Sequence, residues 1–165
     1  MKIMFLIRHA KSSWKNEQIK DHERKLNKRG LRDASIMGEK LNTLHPAPEK
    51  ILCSTAIRAK ETVQFIKEKW FPLKKVDYTR QLYEGPNSVI LNSIQSIPSS
   101  INSIALFFHN PMITHLANLL DSNSIINIPT CGVVIMTSEK KDWQSIEVGS
   151  GKLVGFEYPQ KLVNH

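Results

Sequence analysis

Two kinds of hydrophobic pattern take turns along this chain. Residues 3–7 are apolar without a break, as in a strand buried on both faces. From 29 to 43 the positions Leu31, Ala34, Met37, Gly38 and Leu41 recur at steps of three and four, with charges between them. That spacing predicts an amphipathic helix. Residues 51–53 are a short strand. Ser54 or Thr55 is placed to cap a helix whose inner face is Ala56, Ala59, Val63 and Ile66 and which stops before Pro72. Residues 76–79 form another short strand, and residues 87–96 a weaker helix closed by Pro98. Residues 104–108 are a second unbroken apolar strand. Asn110 and Pro111 follow, an N-cap and a first helical residue for a helix to about Leu120. Residues 133–136, 143–148 and 152–158 close the chain as strands. Their short connections predict at least one antiparallel pair.

Strands alternating with helices predict an α/β fold, a mostly parallel central sheet flanked by helices on both faces. Residues 1–165 fit a single domain long enough to bury a core without disulfides or metals. Trp70 and Phe71 belong either to that core or to an interface, and the oligomeric state is not legible. With 41% hydrophobic and 23% charged residues, general disorder is excluded. The net charge of +8 has two readings. A positive field draws anionic ligands, or it serves solubility alone. Cys53 and Cys131 lie in different segments, without metal-ligand spacing, and suit free thiols in a reducing compartment. The apolar run 3–7 meets Arg8 too soon for a leader or a membrane span. The expectation is a cytoplasmic protein with no membrane partner.

In open α/β sheets ligands bind beyond the carboxyl ends of the strands. Three segments place reactive residues there: Arg8 and His9 after the first strand, Arg58 one turn into the helix after the second, His109 and Asn110 after the 104–108 strand. Arginine offers a planar fork that matches phosphate oxygens. Helix N-termini add free N–H groups. A neutral histidine can attack phosphorus. Each residue also has a plainer reading: a loop pair for Arg8 and His9, a solvated helix residue for Arg58, a satisfied core histidine for His109.

Four motifs in order narrow the choice. Residues 6–14, Leu-Ile-Arg-His-Ala-Lys-Ser-Ser-Trp, resemble the Arg-His-Gly signature of the histidine phosphatase (phosphoglycerate mutase-like) superfamily. Residues 54–62 resemble its Ser-x-x-x-Arg-Ala-x-x-Thr motif, residues 108–111 its Gly-His-Asn-Pro motif, and residues 82–84 its Leu-x-Glu motif. Residues 21–30 and 129–134 look like the short SixA-type branch, so the resemblance spans nearly the whole chain. It implies a phosphoglycerate mutase-like fold and a phosphatase that needs no metal or organic cofactor. His9 would be the nucleophile, with Arg8, Arg58 and His109 around the phosphoryl group and Glu84 as the candidate general acid. Ser12 and Asn110 either donate to phosphate or cap. Arg24 either lines the pocket or fixes the loop after the first strand. Ala10, Lys15 and Phe108 depart from the family pattern. Lys15 stands where many sugar-phosphate enzymes of the family carry Asn, which weakens the case for a mutase.

The SixA-type branch is similar to phosphatases of histidine-containing phosphotransfer proteins, so the implied partner is a phosphorylated protein. A departing imidazole needs little acid help. With about thirty residues between the helix that stops before Pro72 and the 104–108 strand, partly helical, little chain is left for a lid. A small phosphate ester is the alternative substrate. A noncatalytic binding module is the reading of another class. Its best support is the basic stretch 20–32, but acids interrupt it and no aromatics interleave, so a nucleic-acid platform is not expected.

Overall fold

The computed structural model of the chain describes residues 1–122 and 125–159. Its strands are β1 (Lys2–Arg8), β2 (Lys50–Ser54), β3 (Val76–Thr79), β4 (Ser103–Phe108), β5 (Val133–Ser138) and β6 (Lys152–Glu157). They form one sheet in the order β3-β2-β4-β1-β5-β6. Its helices are α1 (Lys28–Leu44), α2 (Ile57–Trp70), the single turn α3 (Gln81–Glu84), α4 (Asn87–Gln95) and α5 (Met112–Leu120). The first four strands are parallel neighbours. β5 runs antiparallel to β1, and β6 antiparallel to β5.

The unbroken apolar runs become the centre of the sheet, because only there are both faces covered. Met4 and Leu6 of β1 turn to one core, with α4 and α5 above them. Phe5 and Ile7 turn to the other, beneath α1 and α2. The helical spacing of Ala34, Met37 and Leu41 meets Ala59, Val63 and Ile66 in that second core. Trp70 and Phe71 are core residues, 2% and 1% exposed, and Trp70 donates its indole N–H to His45 O at 3.0 Å. Among the described residues, no helix is long and apolar enough to cross a membrane.

Three local expectations need correction. The 143–148 stretch is not a strand: Trp143–Ser145 is a 3₁₀ turn, with Asp142 accepting from Ser145 N–H. Its buried residues, Trp143 and Ile146, are three apart, which is the period of that turn and not of a strand. Neither Ser54 nor Thr55 caps α2, whose cap is Ala56. Pro111, not Asn110, stands at the cap of α5, and the Asn110 side chain bonds Thr114 instead.

Register decides where the chemistry lies. β1 and β4 pair Ile3 with Ser103 through Arg8 with Phe108, so both end level. Cys53 of β2 pairs with Phe107, so β2 ends at the same height. α1 begins hard against the segment that follows β1: a Cβ on Gly30 would lie 2.1 Å from Lys11 O. Asn27, the cap of α1, accepts from Gly30 N–H at 2.8 Å and donates its own N–H to Lys11 O at 3.0 Å.

Candidate active site

His9 leaves β1 but stays in the sheet. Its N–H donates to Phe108 O at 3.2 Å, and its carbonyl accepts from Cys131 N–H at 3.0 Å. The left-handed turn at Cys131, φ 59°, brings that N–H round. The His9 ring is 7% exposed, and Nδ1 lies 2.7 Å from Ala10 O. A carbonyl can only accept, so Nδ1 carries the proton and Nε2 keeps a lone pair. Burial, above all, lowers the His9 pKa to about 3. The charges of Arg58, Arg8 and Arg24 push the same way, against the bond to Ala10. His9 is therefore neutral at pH 7.

His109 follows β4 at the same level, its ring centroid 5.1 Å from that of His9. Its Nε2 lies 2.7 Å from Ser54 Oγ, which also accepts from Ala56 N–H at 3.1 Å. Its pKa too is lowered to about 3, by burial first and then by His9 and Arg58. Arg8 donates from Nη1 to Ile128 O at 2.9 Å. Arg58, 6% exposed, donates from Nη1 to Asp21 O at 2.7 Å and from Nη2 to Asp21 Oδ2 at 3.0 Å. Thr62 ties the two motifs together, donating to Arg58 O at 2.7 Å and accepting from Ala10 N–H at 2.9 Å.

Arg8 Nε, Arg58 Nε and His109 Nδ1 are buried and have no partner among the described residues. Leaving such groups unmade costs about 1–3 kcal/mol each. Two guanidinium groups and two imidazoles at one rim, with nitrogens in want of acceptors, suit an anion with several oxygens. Among the described residues no group of three or more His, Cys, Asp or Glu side chains is arranged to hold a metal ion.

The other residues named from sequence are placed less directly. Arg24, 8% exposed, bonds Ser12 Oγ at 2.5 Å and Asp21 Oδ1 at 3.2 Å, and the Trp14 ring lies 3.6 Å from its guanidinium carbon. Its charge helps to lower the His9 pKa, and Ser12 is occupied by Arg24. Asn110 is committed to Asn127 Oδ1, Ile128 O and the Thr114 hydroxyl. Glu84 pairs with Arg80 at 3.0 Å and its side chain is 58% exposed; no bond joins it to the four central residues.

Sequence reasoning missed three contributors. Ser54, a cap candidate and the first residue of the 54–62 motif, has no site role from sequence, yet its hydroxyl meets His109 Nε2. Tyr83 lies edge-on to His109, centroids 5.6 Å apart, and donates its hydroxyl to Asp21 Oδ2 at 2.8 Å. Asp21 looked like an acid interrupting a basic run, yet it joins Arg58, Arg24 and Tyr83. Its position three residues before Arg24 was the available signal.

Residues 4–86 match the family described as the histidine phosphatase superfamily (branch 1). The uncharacterized protein ML1117 of Mycobacterium leprae is 34% identical, over 93% of this chain and 100% of its own length. Among solved structures, the protein histidine phosphatase SixA complexed with tungstate superposes with a TM-score of 0.84, at 18% identity, over 97% of this chain and 99% of its own. A mycobacterial glucosyl-3-phosphoglycerate phosphatase, Rv2419c, gives a TM-score of 0.73 at 12% identity, over 96% and 100%.

Proposed function

Because the chain belongs to the histidine phosphatase superfamily (branch 1), we propose that its phosphatase activity runs through a phosphohistidine formed on His9 and that its donor is a phosphohistidine on a phosphotransfer protein. His9 Nε2 attacks phosphorus, and the bond from phosphorus to the leaving atom breaks. Arg8, Arg58 and His109 hold the phosphoryl oxygens. As charge builds on those oxygens, their fixed donors gain strength without having to reorganise. Water then attacks the phosphohistidine, and His9 returns as the leaving group. Arg24 adds positive charge beside His9. Ser12 and Asn110 act as braces, Ser12 for Arg24 and Asn110 for the 127–128 backbone.

One observation carries the mechanism: His9 is a buried, neutral imidazole whose Nδ1–H donates to Ala10 O, inside a ring of guanidinium groups with unpartnered nitrogens. The protein substrate is supported by the rim. Trp14 is 67% exposed over Arg24, and Ile126, two residues from the carbonyl that takes Arg8, is 96% exposed. Apolar side chains at a mouth fit a macromolecular surface better than a small polar metabolite. The net charge of +8 would draw an acidic partner. Both cysteines are free and buried, and burial pushes their thiols up, which suits the reducing cytoplasm we assign.

A small phosphate ester is the second reading, favoured by the likeness in fold to the glucosyl-3-phosphoglycerate phosphatase. Phosphate release from a phosphorylated histidine phosphotransfer protein and from an aryl phosphate, in excess chelator, separates the two. Wild-type protein should act on the first, and His9→Ala should lose at least ~10³-fold. Cleavage of the aryl phosphate alone would remove the protein substrate and keep the mechanism. An active His9→Ala would remove the mechanism itself.

A further inference from the structure

Asp21 stands in a short 3₁₀ turn, Asp21–Glu23, in the segment between β1 and α1. Charged and polar groups reach it from every side that packs on it. From α2, Arg58 donates to Asp21 Oδ2 at 3.0 Å and to its main-chain oxygen at 2.7 Å. From α3, the Tyr83 hydroxyl donates to the same Oδ2 at 2.8 Å. Arg24, in its own segment, lies at 3.2 Å from Oδ1. Tyr83 packs in turn on His109, beyond β4. The next residue, His22, is pinned to Thr55 Oγ1 at 2.8 Å and lies edge-on to Tyr83. A carboxylate is thus built into the same cationic ring as the proposed phosphoryl site. Its side chain is half exposed, on the solvent side of the buried imidazoles. An ester group leaving in line from a nucleophile on the floor departs toward solvent. Glu84 is bonded away to Arg80.

We infer that Asp21, and not Glu84, is the general acid that protonates the leaving oxygen of a phosphate ester. The inference rests on the phosphatase reading above. Burial works against the Asp21 charge, but the bonds from Tyr83, Arg58 and Arg24 and the Arg58 charge outweigh it and hold the pKa down at about 2. A phosphoryl group on Arg58 changes that balance. It takes over the guanidinium and sets negative charge beside the carboxylate, which raises a carboxyl pKa. A phosphomonoester has its second pKa near 6, so its monoanion brings the proton that Asp21 takes up. The bond from His9 Nε2 to phosphorus then forms as the bond from phosphorus to the ester oxygen breaks, and the Asp21 proton passes to that oxygen. In the second step, common to all substrates, a water oxygen bonds phosphorus, the bond to Nε2 breaks, and both water protons leave on the phosphate, so Asp21 takes no proton there.

The test is the dependence of rate on leaving group. Wild type, Asp21→Asn and Glu84→Gln are assayed with an alkyl phosphate, with a nitrophenyl phosphate, whose alcohol leaves without help, and with the phosphohistidine protein. For Asp21→Asn, kcat on the alkyl ester should fall by at least ~10²-fold, and on the other two substrates by less than ~5-fold. Glu84→Gln should show no such split. Equal losses on all three substrates for Asp21→Asn would overturn the inference, since they would mark Asp21 as a mere support for Arg58. A split in Glu84→Gln instead would overturn it too. Wild-type protein that releases phosphate from none of the three would overturn the phosphatase reading and this inference with it.

Discussion

Replacing Ser54 with alanine removes one oxygen from the floor of the site and nothing else. That oxygen is fully buried and holds two groups, His109 Nε2 at 2.7 Å and Ala56 N–H at 3.1 Å. In Ser54→Ala the Ala56 N–H is left without an acceptor, for about 1–3 kcal/mol. In a chain of this length each 1 kcal/mol lowers Tm by roughly 2–4 °C. A fall of about 4–8 °C is therefore expected, near the middle of that range. The effect on rate follows from a different bond. When His109 takes a proton to face phosphate through Nδ1, Nε2–H donates to Ser54 Oγ. A hydrogen bond from a charged donor contributes about 1.5–3 kcal/mol, so kcat should fall roughly 10- to 100-fold. KM should move less, because the two arginines still bind the ground state. Urea unfolding and initial-rate kinetics on one preparation give both numbers. If stability falls while kcat stays within about twofold, Ser54 does not orient His109. If neither changes, the accounting of buried polar groups is wrong.

Two further outcomes follow from geometry already described. His9 and His109 have folded pKa values of about 3, against 6.5 for a free side chain. The unfolded chain takes up those protons as pH falls through about 6.5, and the folded chain does not until about 3. Their contribution to stability is whole above 6.5 and is lost progressively from there down to 3. The urea midpoint should drop between pH 7.5 and pH 4.5, and a flat midpoint over that interval would contradict the burial of neutral rings. Gly30→Ala sets a Cβ 2.1 Å from the Lys11 carbonyl, where only backbone can yield. It should destabilise by about 1–3 kcal/mol and lower kcat, since Lys11 is two residues from His9; an unchanged thermal midpoint would refute the close approach.

What could be read in advance depended on how locally each feature is written. The central strands were legible because burial on both faces leaves no polar position, and β1 and β4 have none between Ile3 and Ile7 or between Ile104 and Phe108. The α1 stripe was legible because one face of that helix meets a core and the other meets water. The 143–148 stretch misled because Trp143 and Ile146 fit a short apolar strand as well as a turn, and only tertiary contact decides: the Trp143 indole donates to Ile101 O at 2.7 Å. The site divides in the same way. Arg8, His9, Arg58 and His109 follow or flank strand ends, so topology alone brings them together. Asp21 and Tyr83 meet across 62 residues through one hydroxyl, and no pattern of spacing announces such a pair. Glu84 was singled out by its motif, one position from the side chain that packs on His109.

The reversed direction of β5 shapes how this site can change over generations. Because β5 enters the sheet at the rim, the segment before it reaches His9 and Arg8 with main-chain atoms: Ile128 O to Arg8 Nη1, Gly132 O to Arg8 N–H, Cys131 N–H to His9 O. Every residue type but proline offers both groups, so side chains along this edge can drift except at the left-handed Cys131 and at Gly132, where a Cβ would lie 2.7 Å from Pro129 O. Exposed neighbours such as Ile126 are free to be exchanged. A lineage can therefore change exposed side chains beside His9, which main-chain bonds from this segment and the Thr62 hydroxyl under Ala10 hold in place.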